Sequence, residues 1–163
     1  MRIGSVLYDL QKAFDTVNHE ILLNKLQYYG IKGKAKTLLE SYLQNRYQRV
    51  EISSQYSNSK TLSNWTKITQ GVPQGSILGL LLFLIYINDL PTVIQPTANL
   101  IMFADDTSIF TKSPDIIQLQ SNLNSVIGEI NEWFQNNRIK LNLDKTFFYK
   151  LYKQKYRELG YTN

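Results

Sequence analysis

Two aspartates stand side by side in LIMFADDTSIF, residues 100–110, between apolar, β-prone runs. Adjacent carboxylates repel, and strands tend to avoid Asp. Asp105 and Asp106 therefore belong at a bend, where they serve either as turn residues or as paired ligands for a cation. A third acidic residue, Asp9, closes the short apolar run Val6-Leu7-Tyr8. If the strand ending at Asp9 pairs with the 100–110 hairpin, three carboxylates converge, and their repulsion calls for a cation to neutralise it. The chain has no cysteine and a single histidine, His19, which leaves oxygen ligands and hence Mg²⁺, with Mn²⁺ as the alternative. Two such ions, about 3.5–4 Å apart, activate an attacking oxygen and stabilise a leaving one in phosphoryl transfer. Each residue also has a plain structural role open to it: Asp9 capping a turn, Asp106 pairing with a lysine.

The elements that must hold these residues are legible in outline. Residues 19–29 (HEILLNKLQYY) repeat apolar positions at helical spacing and are followed by Gly30 as a stop. A second helix is expected at 34–45. Residues 47–69 look like two strands around a Ser/Asn-rich turn at 56–59. A Gly-Pro-Gly loop at 71–75 opens an apolar helix that stops at Pro91. ANLIMF and TSIF follow as strands joined through Ala104-Asp105-Asp106. After Pro114, Ile116, Leu119, Leu123, Val126, Ile127, Ile130, Trp133 and Phe134 recur every three or four residues, which predicts a long amphipathic helix. KLNL and TFFYKLY then look like a final β pair. The order β-αα-ββ-α-ββ-α-ββ predicts an α+β fold, an antiparallel sheet with helices packed on one face.

The chain of 163 residues, 43% hydrophobic, is long enough for one real core. From Ile68 to Asn88 no residue is charged, yet the apolar part, 77–87, has only about half of the ~20 residues a bilayer requires. A buried helix is expected there, and no membrane. Residues 1–137 balance eleven Lys or Arg against eleven Asp or Glu, so the net charge of +5 lies in 138–163. A basic tail of that kind is weak support for a polyanionic partner. MRIGSVLYDL has no apolar signal core, and without a targeting signal the expected location is nucleus or cytoplasm.

YDLQKAFDTVNHEIL, QGVPQGSILGLLLFLIYINDLP, FADDTSIF and LNLDKT occur in this order and at this spacing. Together they resemble the palm of the reverse transcriptases of non-LTR (LINE-type, jockey-like) retrotransposons, over roughly residues 6–151. The resemblance implies a polymerase palm and an RNA-directed DNA polymerase that adds deoxynucleotides to a primer 3′-hydroxyl with Mg²⁺. It implies an RNA template, a DNA primer and dNTPs as partners. It makes Asp9, Asp105 and Asp106 catalytic and metal-binding, and Lys145 a candidate proton donor to departing pyrophosphate. Phe14, five residues after Asp9, takes the place of the ring under the incoming sugar, where it would collide with a 2′-hydroxyl. Gln74 and Gly75 fall at nucleotide-binding positions, and Gly71, Pro73 and Phe103 at template–primer positions. Asp15 is read as turn chemistry, His19 as a helix-start residue and Ser76 as the N-cap of the next helix.

The sequence departs from that pattern in places. Leu80 replaces the proline expected after GSILG, Phe103 the more usual Tyr, and Tyr8 and Gln11 the usual apolar and small residues. Residues 1–152 are expected to be the palm and 153–163 a basic tail, with fingers, thumb and endonuclease regions absent. Two further readings stay open: an inactive retrotransposon remnant that binds nucleic acid, and an RNA-dependent RNA polymerase, which should carry a small or polar residue at position 14. The resemblance also implies action in the nucleus, at a chromosomal nick.

Overall fold

A computed structural model describes residues 1–53, 59–94 and 98–152. The turn expected around Tyr56 and the basic tail 153–163 lie outside the described residues. In chain order the elements are β1 (Arg2–Tyr8), α1 (Ala13–Thr16), α2 (His19–Tyr28), α3 (Gly33–Leu43), β2 (Tyr47–Gln48), β3 (Glu51–Ser53), β4 (Lys60–Leu62), β5 (Thr66–Lys67), α4 (Ile77–Ile87), α5 (Leu90–Ile94), β6 (Asn99–Phe103), β7 (Asp106–Ser113), α6 (Ile116–Asn136) and β8 (Phe147–Tyr152). Two compact units divide the chain: residues 1–13 with 88–152, and residues 14–87.

The first unit is a four-stranded antiparallel sheet in the order β6-β7-β1-β8. Its register sets Val6 between Ile109 and Phe148, and Tyr8 opposite Thr107. Alternation then sends Gly4, Val6, Tyr8, Thr107, Ile109 and Thr111 to one face, and all of them are buried. Helix α6 covers that face with Leu119, Leu123, Val126, Ile130, Trp133 and Phe134, a stripe at the predicted spacing. A Cβ on Gly4 would lie 2.5 Å from Leu123 Cδ1, so the missing side chain lets the helix approach the central strand. Asp115 caps α6, accepting from the backbone N–H groups of Ile117 and Gln118. These bonds, the one from Gln118 foremost, hold its carboxyl below the usual carboxylate range. Within this unit α6 thus packs on one face of an antiparallel sheet, in keeping with the predicted α+β class.

Three expectations are corrected. KLNL and TFFYKLY do not pair with each other. Residues 147–152 instead pair with β1, while Leu141 makes a single bridge to Leu10 and 143–145 form a 3₁₀ turn. A two-stranded hairpin standing alone is marginal and would leave one edge of β1 unpaired; adding β8 to β1 satisfies both. The apolar helix at 77–87 is buried on one face only. In the second unit α4 packs on α2 through Leu82, Phe83, Tyr86 and Ile87, whereas Ile77, Leu80, Leu81 and Leu84 are exposed. Helix α4 is apolar all round, but α2 covers a single side of it. Pro91 does not end α4, which stops at Ile87. It sits in the first turn of α5, where its missing N–H costs nothing.

The Tyr8 ring packs edge-on against Phe134, with centroids 5.7 Å apart, and its hydroxyl is buried without a hydrogen-bond partner among the described residues. Burial pushes the phenol up to about 12. The unfolded chain releases this proton near pH 10 and the folded chain holds it to about 12, so stability falls across that interval. Tyr8→Phe keeps the ring and removes the orphan hydroxyl. It should raise the unfolding free energy by about 1 kcal/mol at neutral pH and flatten the alkaline loss; urea titrations at neutral and alkaline pH measure both.

Candidate active site

In the first unit the register decides where the acidic residues stand. Tyr8 is paired with Thr107, so Asp9, the next residue, lies at the end of the sheet where Asp106 begins β7. Phe103 pairs with Asp106 and closes a hairpin whose two turn residues are Ala104 and Asp105. Ala104 has φ 54, a left-handed conformation that glycine ordinarily takes, so the bend carries backbone strain. Asp9 and Asp105 are half-buried and Asp106 is exposed. Among the described residues no three His, Cys, Asp or Glu side chains are gathered closely enough to hold a metal ion. Asp9, Asp105 and Asp106 share one end of the sheet without converging side chain to side chain. Their donor set, carboxylate oxygens only, fits a hard divalent cation such as Mg²⁺ or Mn²⁺.

Asp9 is held by a residue that the sequence reading passed over. Asn142 Nδ2 donates to Asp9 Oδ2 at 2.8 Å, and the Asn142 backbone N–H donates to the Asp9 carbonyl at 2.9 Å. The Gln11 N–H donates to Lys140 O at 2.8 Å, so residues 140–142 lie alongside 9–11. The Asn142 carbonyl accepts from Lys145 N at 3.1 Å and from Thr146 Oγ1 at 2.8 Å, which builds the turn presenting the exposed Lys145. One asparagine thus bonds both the first acidic residue and the lysine turn. The available signal was the Asn of LNLDKT itself, a donor set between Leu141 and Leu143.

In the second unit the loop 70–75 is stitched to residues 14–19. Gly71 N donates to Val17 O at 2.7 Å, and Val72 N to Phe14 O at 2.8 Å. Gly71 has φ +88, and a Cβ there would lie 3.0 Å from Asp15 O, so both conformation and space require glycine. His19 begins α2, as expected, and is also buried with Nε2 2.8 Å from Gly71 O. A carbonyl only accepts, so Nε2 carries the proton. Asp15 Oδ1 accepts from Gln74 Nε2 at 2.8 Å, which turns the amide oxygen of Gln74 away from Asp15. Ser76 Oγ accepts from Gly79 N at 2.9 Å, in keeping with its N-cap role. Leu80 N donates to Ser76 O at 3.3 Å, a bond the expected proline could not make.

Phe14, Pro73, Gln74, Gly75, Ser76, Ile77 and Leu80 line a cavity of about 480 Å³. The half-buried Phe14 ring packs against Phe83 with centroids 4.6 Å apart, so it is both a core contact and a cavity wall. Phe14, Pro73, Gln74 and Gly75 are therefore brought together here. Asp9, Asp105, Asp106, Phe103 and Lys145 belong to the first unit, where Phe103 is 80% exposed at the mouth of the hairpin.

Comparison with known proteins identifies the family. The family described as reverse transcriptase (RNA-dependent DNA polymerase) matches residues 4–163. The RNA-directed DNA polymerase from mobile element jockey of Drosophila melanogaster is 31% identical over 149 residues, covering 88% of this chain and 15% of that protein. A probable RNA-directed DNA polymerase from transposon BS of the same fly is 30% identical over 155 residues, covering 88% and 16%. The chain thus spans about one-sixth of the length of these relatives. Among solved structures, apo telomerase from Candida tropicalis, truncated from its C-terminal domain, aligns with a TM-score of 0.63 at 15% identity, over 99% of this chain and 32% of that one. Telomerase from Candida albicans in complex with a fragment of telomeric RNA aligns at 0.62 and 11% identity, over 93% and 28%. The sheet with helices on one face is therefore a polymerase palm-like fold.

Two substitutions test the site's framework by chemical denaturation. Asn142→Ala should cost about 1–2 kcal/mol, the scale for leaving a hydrogen-bonded group without its partner. Asn142→Asp should cost more, because it sets a carboxylate against Asp9. The excess should vanish in the double variant Asp9→Asn/Asn142→Asp, which exchanges donor and acceptor. Gly71→Ala should also destabilise, by roughly 1–3 kcal/mol, through its φ and its contact with Asp15.

Proposed function

The chain belongs to the reverse transcriptase (RNA-dependent DNA polymerase) family, and from that premise we propose that it carries the nucleotidyl-transfer site of an RNA-directed DNA polymerase. It copies an RNA template by adding deoxynucleotides to the 3′-hydroxyl of a DNA primer. The observation that carries this reading is the β1–β7 register, which sets Asp9 at the same end of the sheet as the Asp105-Asp106 bend. Asp9, Asp105 and Asp106 would hold Mg²⁺, or Mn²⁺ in its stead, once their side chains turn toward a common ion. When bound, the ions polarise phosphate oxygens and neutralise the charge that develops on them. Lys145 gives a proton to the departing pyrophosphate. Phe14 lies under the sugar and refuses a 2′-hydroxyl, Gln74 and Gly75 touch the nucleotide, and Gly71, Pro73 and Phe103 touch the template–primer. The relatives' remaining length has room for fingers, thumb and endonuclease regions that would act with this segment.

A second reading, nucleic-acid binding without chemistry, draws on one observation: Asp9 Oδ2 is already engaged by Asn142. Primer extension on an RNA template with Mg²⁺ separates the two. The polymerase reading expects incorporation that Asp9→Asn or Asp105→Asn lowers by roughly a hundredfold or more, the scale for losing a group that stabilises transition-state charge. Strand binding by folded protein, with no incorporation, favours the second. Phe14→Val should raise the use of ribonucleotides over deoxynucleotides, and unchanged sugar selection would reject Phe14 as the gate.

A further inference from the structure

Residues 46–53 and 59–68 pair as a two-stranded ribbon that buries almost none of its described residues. Tyr47, Val50, Ile52, Leu62 and Trp65 are all exposed, Trp65 by 62%. Strands β2 and β5 pair Tyr47 with Lys67 and Gln48 with Thr66, while β3 and β4 pair Glu51 with Leu62. Between these pairs Val50 N–H donates to Ser63 Oγ and Ser63 N–H donates to Val50 O, each at 2.9 Å. Arg49 therefore faces two residues, Asn64 and Trp65, which is a bulge. The bulge turns the Trp65 ring under the Arg49 guanidinium, 4.7 Å from the ring centroid. Tyr47 and Lys67 are a cross-strand pair on one face, and Arg49, two residues on from Tyr47, returns to that face. The result is a row of two rings and two cations, with Arg46 at its base.

Within residues 1–137, positive charge is concentrated on this ribbon. It holds Arg46, Arg49, Lys60 and Lys67 against Glu51 alone, and Lys60 is paired with Glu51 at 2.5 Å. The rest of residues 1–137 carries seven basic residues against ten acidic ones. Solvation explains isolated lysines, but it does not explain exposed rings interleaved with cations. A polyanion bearing flat apolar faces matches both: phosphates for Arg49 and Lys67, and unpaired bases for Tyr47 and Trp65. Bases in a duplex are already stacked, so the match is to a single strand.

We infer that the face of this ribbon carrying Tyr47, Arg49, Trp65 and Lys67 is a binding surface for single-stranded nucleic acid, with Trp65 and Tyr47 stacking on bases and Arg49 and Lys67 contacting phosphates. The choice of nucleic acid over other polyanions rests on the polymerase reading. The protein contains its own reporter. Of its two tryptophans, Trp133 is buried and Trp65 is exposed.

The 163-residue protein is titrated with short single strands of RNA and of DNA at several salt concentrations. Tryptophan emission and the anisotropy of a labelled strand are recorded, and circular dichroism checks that each variant folds. The expected result is quenching of Trp65 by one or both strands, absent in Trp65→Phe, where only Trp133 emits. Trp65→Ala should weaken binding on the order of tenfold, the scale of one lost stacking contact. Arg49→Ala and Lys67→Ala should each make the salt dependence shallower by about 0.7 in log–log slope. Unchanged affinity and slope in these folded variants would overturn the inference, since the strand would then be held elsewhere. Equal quenching by polyglutamate would overturn it too, because that polyanion has no bases. Primer extension is read separately: strand binding through the ribbon with no extension upholds this inference and overturns the polymerase reading alone.

Discussion

The pairing of β1 on both edges is the constraint from which the first unit follows. All seven of its residues pair with β7 on one side and six of them with β8 on the other. A strand held twice has no freedom to slip, because a shift of one residue would turn Val6 and Tyr8 out of the core. That rigidity fixes where the strand ends, and it ends at Asp9. The β7 partner is one arm of the hairpin with Asp105 at its turn, so the same ladder that buries Val6 against Ile109 also sets the height of the bend. Position in the core and position in the site are one measurement. The site inherits its geometry from backbone pairing, and its side chains are then adjusted by single contacts such as that of Asn142.

The second unit solves a different problem, which is to hold a loop rather than a strand end. Residues 70–75 have little apolar surface with which to anchor themselves, so hydrogen bonds do it instead. Gly71 and Val72 donate to the backbone of Val17 and Phe14, and His19 reaches back to the Gly71 carbonyl. Gly79 allows α4 to begin hard against the Pro73 carbonyl, where a Cβ would clash. Each bond is modest, about 0.5–1.5 kcal/mol net. Acting together on Gly71 and Val72, they still leave the loop few alternatives. The cavity wall that includes Phe14 and Gln74 is therefore preformed rather than left to close around a ligand.

Much of this was legible in the amino-acid order, and the failures have physical causes. The stripe from Leu119 to Phe134 announces α6 because a helix covering a sheet must repeat at 3.6 residues. The acidic bend was legible because Asp interrupts two β-prone runs. What sequence could not supply was partnership at long range. Whether 147–152 pairs with 140–143 or with β1 depends on which edge is unsatisfied, and period-two alternation is the same in both cases. Asn142 was invisible for a related reason: its importance lies in a bond to a residue 133 positions away, while its own neighbourhood looks like an ordinary turn. His19 was placed correctly as the start of a helix, and its second role required knowing where Gly71 lies. Helix α4 misled because apolar composition reports what a surface would prefer, not whether enough protein exists to cover it.

Several costs in the first unit fall at one end of its sheet. Among the described residues Tyr8 buries a hydroxyl without a partner, Ala104 holds a left-handed φ without being glycine, and Asp9, Asp105 and Asp106 bring like charge to the same end. At the far end Ser113 also buries a hydroxyl with no partner among the described residues, but the rest of the sheet follows ordinary rules: Gly4 where α6 approaches, alternating burial along β7, a side-chain cap on α6. An unpaired buried hydroxyl and a strained bend each cost on the order of 1–3 kcal/mol, against a total stability of roughly 5–15 kcal/mol for a whole domain. A sequence shaped for stability alone would spread such defects or remove them, since Phe at 8 and Gly at 104 are simple changes. Grouped beside three carboxylates, these defects are a local cost that the β1 ladder and the packing of α6 must offset.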